Sequence, residues 1–345
     1  MLRIFLSALL LACASAALSP LVLRPGRITL RGGAASPSLL VVGSLNADVI
    51  VPVARMPEPG ETVMASDTAD AGRVFTGGKG ANQAVAASRL GATTNFVCMF
   101  GNDGHATALE AELKANGVDV SKCGRTDRPS GQGIVLLGSH GAVSSVVIRG
   151  SNGCWEGKTQ ADYAEAVKGM SAVLLQREVP EHVNEAVAAA ACEAGVPVFQ
   201  DVGGEDRPIS DEQLARCSYV TPNETELKRL TGLPTSTDAE IEVAARALLA
   251  RGAKAVVVTL GAGGSLLVSE ADGVVRQKAC PPPSPPVDET AAGDAFRAAL
   301  AVSLAEGGDV ATCLRFASAA GSYAVSRMGA VPSLPSRAQC MALLP

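Results

Sequence analysis

The sequence predicts an α/β fold, a doubly wound and mainly parallel sheet covered by helices on both faces, with a small β-sheet lid. Three observations predict it. From Leu39 onward, short β-branched runs alternate with Ala-rich runs, the pattern of repeated strand–helix–strand units. Glycine ends the helical runs, as at Gly91, Gly117 and Gly195, where a stop signal is expected. Two stretches, 48–75 and 130–152, carry strand-like runs without a helical period between them.

Each element follows from local pattern. "SLLVVGSLNADVIV" (38–51) reads as one buried strand. "GANQAVAASRLGA" is a helix stopped at Gly91, "TNFVCMFGND" a strand and turn, and "HATALEAELKANGV" a helix ending at Asn116-Gly117. "SAVLLQREV" is a strand. "VNEAVAAAACEAGVPVFQDV" is a helix, a Gly195 stop and a strand; "IEVAARALLARGAKAVVVTLGAGG" repeats that order. The segments 48–75 and 130–152 read as antiparallel lid strands, the second as a hairpin about His140-Gly141. "CPPPSPPVDE" (280–289) is a Pro-rich loop.

The chain has 345 residues and a formal charge of −5. One large α/β domain over 39–345, with lid segments at about 47–75 and 130–151, accounts for that length. The acidic balance argues against nucleic acid as a partner. No apolar run reaches the ~20 residues of a membrane span. Nine cysteines stand as singles with no Cys-x-x-Cys, which reads as free thiols rather than zinc ligands.

Residues 1–38 read as a targeting presequence. "MLRIFLSALLLACASA" (1–16) has the basic start, apolar core and small-x-small end of a signal peptide. Residues 17–38 carry Arg24, Arg27 and Arg31, and no acidic residue precedes Asp48, which is how a transit segment reads. The two-part pattern points to a plastid. A mitochondrial, cytoplasmic or secreted location is the alternative.

Several short motifs can carry chemistry. In "TAAGDAF" (290–296), the small residues Ala291, Ala292 and Gly293 precede a long apolar helix. The first turn of that helix presents unpaired N–H groups and a positive dipole end, an anion hole over 291–294. Asp294 beside it either caps the helix or takes a proton from an attacking hydroxyl. "FTGGKGANQA" (75–84) is neither a Walker loop nor a dinucleotide fingerprint; its glycines permit close approach of a polyhydroxyl ligand, with Lys79 and Asn82 as polar partners. Asn46, Asp48 and Glu178 follow apolar strands, where ligands of doubly wound sheets sit. "TPNETE" reads as a capping box with Thr221 as N-cap, Pro222 at N1 and Glu224 at N3. "TLGAGG" (259–264) suits nucleotide approach. His105, His140 and His182 have no ligand companions and read as surface or packing residues.

Together "GSLNAD", "GGKGANQAVAASRLGA", "TPNETE", "TLGAGG" and "TAAGDAF" resemble, in order, the ribokinase branch of the PfkB carbohydrate kinase family. The resemblance spans about Leu39 to Pro335. It implies a three-layer αβα sandwich with a β-lid, often shared in a homodimer. It also implies transfer of phosphate from ATP to O5 of D-ribose, with Mg²⁺ accompanying ATP and K⁺ as monovalent activator. By the same resemblance, Asp294 would be the base, with Ala292 and Gly293 in the anion hole. Asn46, Asp48, Gly78, Lys79, Gly80, Ala81, Asn82 and Glu178 would bind the sugar. Asn223, Thr259, Leu260, Gly261, Ala262, Gly263, Gly264 and Ser318, with Gly293 and Asp294, would bind ATP, and Glu226 would be associated with magnesium. Asp288, Thr290, Ala324, Arg327, Gly329 and Ser333 would hold the monovalent cation, largely through backbone carbonyls. The rivals are a related kinase acting on fructose or adenosine, and a non-catalytic sugar- or nucleotide-binding regulator. Two departures from the pattern stand out: "QDVGGEDRP" (200–208) replaces an Asn-Pro-Ala-Pro run, and Arg297 stands where many relatives have Asn.

Overall fold

The computed structural model describes residues 36–344 except 69–70 and 139–142. The expected presequence and the His140-Gly141 turn lie outside the described residues. The strands are β1 (Ser38–Val42), β2 (Asn46–Pro52), β3 (Val74–Gly77), β4 (Thr93–Val97), β5 (Met99–Phe100), β6 (Val118–Asp119), β7 (Gly124–Arg125), β8 (Gly131–Leu137), β9 (Val143–Ile148), β10 (Ala172–Arg177), β11 (Val198–Gly204), β12 (Tyr219–Thr221), β13 (Ala255–Thr259), β14 (Ser265–Ser269) and β15 (Gly273–Gln277). The helices are α1 (Lys79–Arg89), α2 (Gly104–Ala115), α3 (Gln160–Val167), α4 (Glu181–Glu193), α5 (Asp211–Arg216), α6 (Glu224–Thr231), α7 (Asp238–Ala250), α8 (Ala292–Ala305), α9 (Val310–Ala324), α10 (Ala330–Ser333) and α11 (Arg337–Met341).

Nine strands form the main sheet in the order β15-β14-β13-β12-β11-β10-β1-β4-β6. Pairing is parallel from β6 through to β13. Strand alternation divides the core. Leu39 and Val41 face one apolar cluster, while Leu40 and Val42 face the other, as a period of two requires. Ala-rich α1, α8 and α9 supply the first cluster through residues such as Val85, Ala298 and Ala317; α4, α5 and α7 supply the second through Val187, Leu214 and Leu248. The α/β sandwich expected from the sequence is therefore present. One edge differs: β14 and β15 run antiparallel to their neighbours, because the β13–β14 connection is a three-residue 3₁₀ turn at Gly261–Gly263 rather than a crossover helix.

The expected single strand over 38–51 is two strands. β1 ends at Val42 in the main sheet, and β2 begins at Asn46 in a four-stranded lid of order β3-β2-β8-β9. The lid is not wholly antiparallel, since β2 pairs parallel with β8; the two come from separate segments and meet without a shared turn. Strand order reverses about β1, whose neighbours are β4 and β10. Such a switch point opens a crevice beyond the strand ends, and the lid stands over it.

Candidate active site

Asp294 is 4 % exposed in the first turn of α8. It does not cap the helix. The N-cap is Ala291, held at φ 59° with no side-chain bond to the helix. The Asp294 carboxylate instead accepts from Asn82 Nδ2 at 3.0 Å and Gln83 Nε2 at 2.9 Å, with Lys79 Nζ at 4.0 Å. The expected anion hole needs one correction. The Ala292 amide donates to the Glu289 carbonyl at 3.2 Å, because the tight turn at Ala291 folds the chain back on itself. The first-turn amides with no backbone acceptor among the described residues are those of Gly293 and Asp294.

Glycine places α1 against the end of β1. Gly78 caps α1 at φ 87°, and a Cβ on Gly80 would lie 2.6 Å from the Ser44 amide nitrogen. That closeness lets the Ala81 amide reach the Ser44 carbonyl at 2.9 Å. It also lets Glu178, beyond β10, accept from Ser44 Oγ at 2.5 Å and from the Lys79 amide at 3.0 Å. Asn46 is buried and accepts from Asn152 Nδ2 at 2.7 Å; Asn152 Oδ1 in turn accepts from the Leu45 amide. Asp48 lies between Gly77 and Gly133, whose absent side chains leave room for its carboxylate. Two buried acceptors here, Asp48 Oδ1 and Asn82 Oδ1, have no donor among the described residues. Buried acceptors are rarely left unpaired, and hydroxyl donors of a ligand would satisfy both. Burial, and then the nearby Glu178 charge, push the Asp48 carboxyl up to about 7 against the Gly133 amide. Burial likewise raises Glu178, opposed by Lys79.

The sequence reading missed a second layer of polar groups. Gln83 donates to both Asp294 Oδ1 and Asp201 Oδ2, and is oriented by Gln176, whose Nε2 donates to Gln83 Oε1 at 2.7 Å. Asp201 also accepts from Lys79 Nζ at 3.1 Å and the Gly203 amide at 2.8 Å, and lies 3.4 Å from Arg297 Nη2. Burial opposes the Asp201 charge, but Arg297 and Lys79 hold it below the usual carboxylate range. Burial also opposes the Lys79 charge, and Asp201 followed by Asp294 keeps it above the ordinary lysine value. The two departures from the family pattern, Arg297 and the 200–208 run, thus meet as one buried ion pair. Asp201 left a signal of its own, an acidic residue toward the end of an apolar strand like Asp48 and Glu178.

A cleft of about 710 Å³ extends from Lys79 and Asp294 past Gly293 to Asn223, Thr259, Gly261, Ala262, Gly264 and Ser318. Gly264 has φ 100°, and a Cβ there would strike the Gln277 carbonyl at 2.1 Å. Leu260 is buried beneath this wall, and the Gly263 carbonyl accepts from Arg276 Nη1 at 2.9 Å. Ser318 Oγ accepts from the Cys280 amide. The capping box of α6 is shifted from the expected position. Asn223 is the N-cap, and Glu226 Oε2 accepts from the Asn223 amide at 2.8 Å. Thr221 belongs to β12 and accepts Arg297 Nε through its hydroxyl at 3.0 Å.

The Asp288–Thr290 loop and the 324–333 segment meet through Asp288. Its carboxylate accepts from Thr290 Oγ1 at 2.6 Å and from the Gly329 amide at 2.8 Å. Arg327 lies over the Tyr323 ring at 4.7 Å, and Ser333 Oγ donates to the Ala330 carbonyl. Ala324 and Gly329 can offer a cation only their backbone carbonyls, whereas Asp288, Thr290 and Ser333 also carry side-chain oxygens. Among the described residues no group of three or more His, Cys, Asp and Glu could hold a metal, and no helix is long and apolar enough to cross a membrane. His182 Nε2 lies 3.3 Å from the Trp155 carbonyl.

A lidded, doubly wound sheet with carboxylates at its switch point, and a buried aspartate beside free helix amides, defines the class of carbohydrate kinases. The profile of the pfkB family of carbohydrate kinases matches residues 36–337, and the chain belongs to that family. It is 41% identical to a ribokinase of Arabidopsis thaliana over 313 residues, 90% of this chain and 81% of that one. It is 34% identical to a ribokinase of Bacillus subtilis over 308 residues, 89% and 99% of the two chains. The solved structure of Arabidopsis thaliana ribokinase complexed with ribose and ATP superposes with a TM-score of 0.82 at 41% identity, covering 90% of this chain and 99% of that one.

Proposed function

We propose that this enzyme transfers the terminal phosphoryl group of ATP to O5 of D-ribose. The observation that carries the proposal is the placement of Asp294, buried where the sugar-facing groups meet the open cleft, next to the unpaired amides of Gly293 and Asp294. Ribose lies against Asn46, Asp48, Lys79, Asn82 and Glu178, and its hydroxyls donate to the unpaired oxygens of Asp48 and Asn82. Asp294 accepts the proton of the 5-hydroxyl as its oxygen attacks phosphorus. The helix-terminal amides hold the charge of the group in transit, and Lys79 adds a cation at its side. The lid excludes water, which limits wasteful hydrolysis of ATP.

ATP occupies the cleft, its adenosine end toward the 259–264 turn and Ser318. Glu226 keeps Oε1 beside Gly203 while Oε2 caps α6, which fits association with Mg²⁺ brought by the nucleotide. Magnesium would neutralise phosphate charge during transfer. The Asp288 and 324–333 loops suit potassium as a monovalent activator, and the lid suits a homodimer. The presequence supports delivery to a plastid; a reporter fused to residues 1–40 would accumulate there, and a reporter found only in the medium would remove that assignment.

The deciding measurement offers ATP with ribose, fructose and adenosine, in potassium and in sodium, and identifies the product by ³¹P NMR. Ribose 5-phosphate should form fastest, and faster in potassium. Sugar and nucleotide binding without turnover would favour the regulator instead.

A further inference from the structure

Arg297 carries a charge that the transfer scheme above leaves unused. It projects from α8 one turn after Gly293 and is 5 % exposed. Its Nε and Nη2 donate to the Thr221 carbonyl at 3.2 and 2.8 Å, and Nε also reaches Thr221 Oγ1. Nη2 stands 3.4 Å from Asp201 and 3.7 Å from Glu226. Two of the three nitrogens are therefore fixed by β12, β11 and α6. The third, Nη1, has no acceptor among the described residues. It packs beneath Gly293, where an added Cβ would come within 2.4 Å of it. Arg297, Gly293, Asp294, Lys79 and Glu226 line the same cleft.

A guanidinium taken out of water normally spends its donors on protein acceptors. Here the fork is anchored on one side, and the remaining donor lies beside the free amides at the head of α8. Such an anchored fork suits an anion with several oxygens, which arginine binds with defined geometry. We infer that Arg297 Nη1 donates to an oxygen of the phosphoryl group in transit, and that Thr221, Asp201 and Glu226 hold it in place before substrate arrives. This rests on the phosphotransfer reading of the site. Arg297 adds a charged donor and leaves proton acceptance to Asp294, so bond making and breaking are unchanged. A carboxylate at 201 is what makes a guanidinium at 297 tolerable, which accounts for both departures from the family pattern together.

The test compares wild type, Arg297→Lys and Arg297→Met. Lysine keeps a cation against Asp201 and Glu226, so this variant should fold even where methionine does not; thermal melts check both. Arg297→Lys should lower kcat at least tenfold and leave KM for ribose within threefold. Calorimetry should show ADP binding within threefold of wild type. Binding of the planar mimic, ADP with aluminium fluoride and ribose, should weaken at least tenfold, an effect that a merely structural arginine would not produce selectively. Folded Arg297→Lys with wild-type kcat and wild-type affinity for the mimic would overturn the assignment. Equal weakening of ADP and of the mimic would overturn it as well. Wild type that phosphorylates none of the sugars offered would instead remove the underlying kinase reading, and this assignment with it.

Discussion

Asp294 and Asp48 are both acidic residues in the crevice, yet their surroundings give them different work. Asp294 accepts two hydrogen bonds from α1, from Asn82 and Gln83, with the Lys79 ammonium 4.0 Å away, so its side chain is fixed in place. Asp294→Asn removes the proton acceptor while preserving shape; kcat should fall at least ~100-fold, the low end for loss of a general base, with ADP binding by calorimetry unchanged. A variant turning over near the wild-type rate would refute the assigned base. Asp48, raised to about 7 by burial and Glu178, is favoured in its neutral form by the fold. Its unfolded-state pKa is ordinary, near ~3.9. Folding therefore bears a penalty that grows as pH rises from about 4 to about 7 and then levels off. Asp48→Asn should lift that penalty, raising Tm more at pH 8 than at pH 5; equal shifts at both would exclude it. Sugar hydroxyls favour the anion, so ribose binding at pH 7 should release protons, seen as a buffer-dependent heat in calorimetry. At this scale the sequence disclosed the groups that sit in short motifs or end apolar strands. Gln83, Asn152 and Arg297 were not legible, because their roles come from partners 76 to 211 positions away: Asn152 from Leu45, Arg297 from Thr221 and Gln83 from Asp294.

The elements were legible where hydrophobic period and stop signals agree, and less so where two local patterns compete. Both Thr221 to Glu224 and Asn223 to Glu226 satisfy the spacing of a capping box. The second forms because β12 extends to Thr221, whose carbonyl and hydroxyl are engaged by Arg297. The run 38–51 looked continuous because both halves are apolar. It breaks at Gly43–Leu45, where α1 comes down onto the chain, and a Cβ on Gly80 would meet three backbone atoms of Gly43 and Ser44 within 2.7 Å. Backbone on both sides cannot yield as a flexible side chain can. Gly80→Ala should therefore destabilise by ~1–3 kcal/mol, the range for overpacking, measured as a lower urea midpoint. It should also weaken ribose binding, because the same contact aligns Ser44, Glu178 and the Lys79 amide. Wild-type stability and ribose affinity would show that α1 has room to shift.

At the scale of the whole molecule, the outer strand of the lid is one of the apolar surfaces that the described residues leave exposed. Edge strands with exposed apolar side chains pair with other chains unless something blocks them. On β9, Val146 and Ile148 face one side of the lid and Val147, 54 % exposed, the other, so the described residues cover neither face. Phe75, Asp48, Gly133 and Val147 form one cross-strand row, which joins the uncovered edge to the sugar-facing carboxylate. A second copy seated on β9 would bury these valines and stiffen the row that carries Asp48. Sedimentation should therefore show a dimer for the wild type. Val147→Asp should shift it to monomer and weaken ribose binding roughly tenfold, about 1.4 kcal/mol. ADP, bound at the other end of the cleft, should be held within threefold of wild type. A monomeric wild type, or a monomeric variant with undiminished ribose affinity, would show that the lid positions Asp48 without help from a partner. The pairing of β2 with β8, on which this row depends, joins segments some 85 residues apart. No local pattern could announce it.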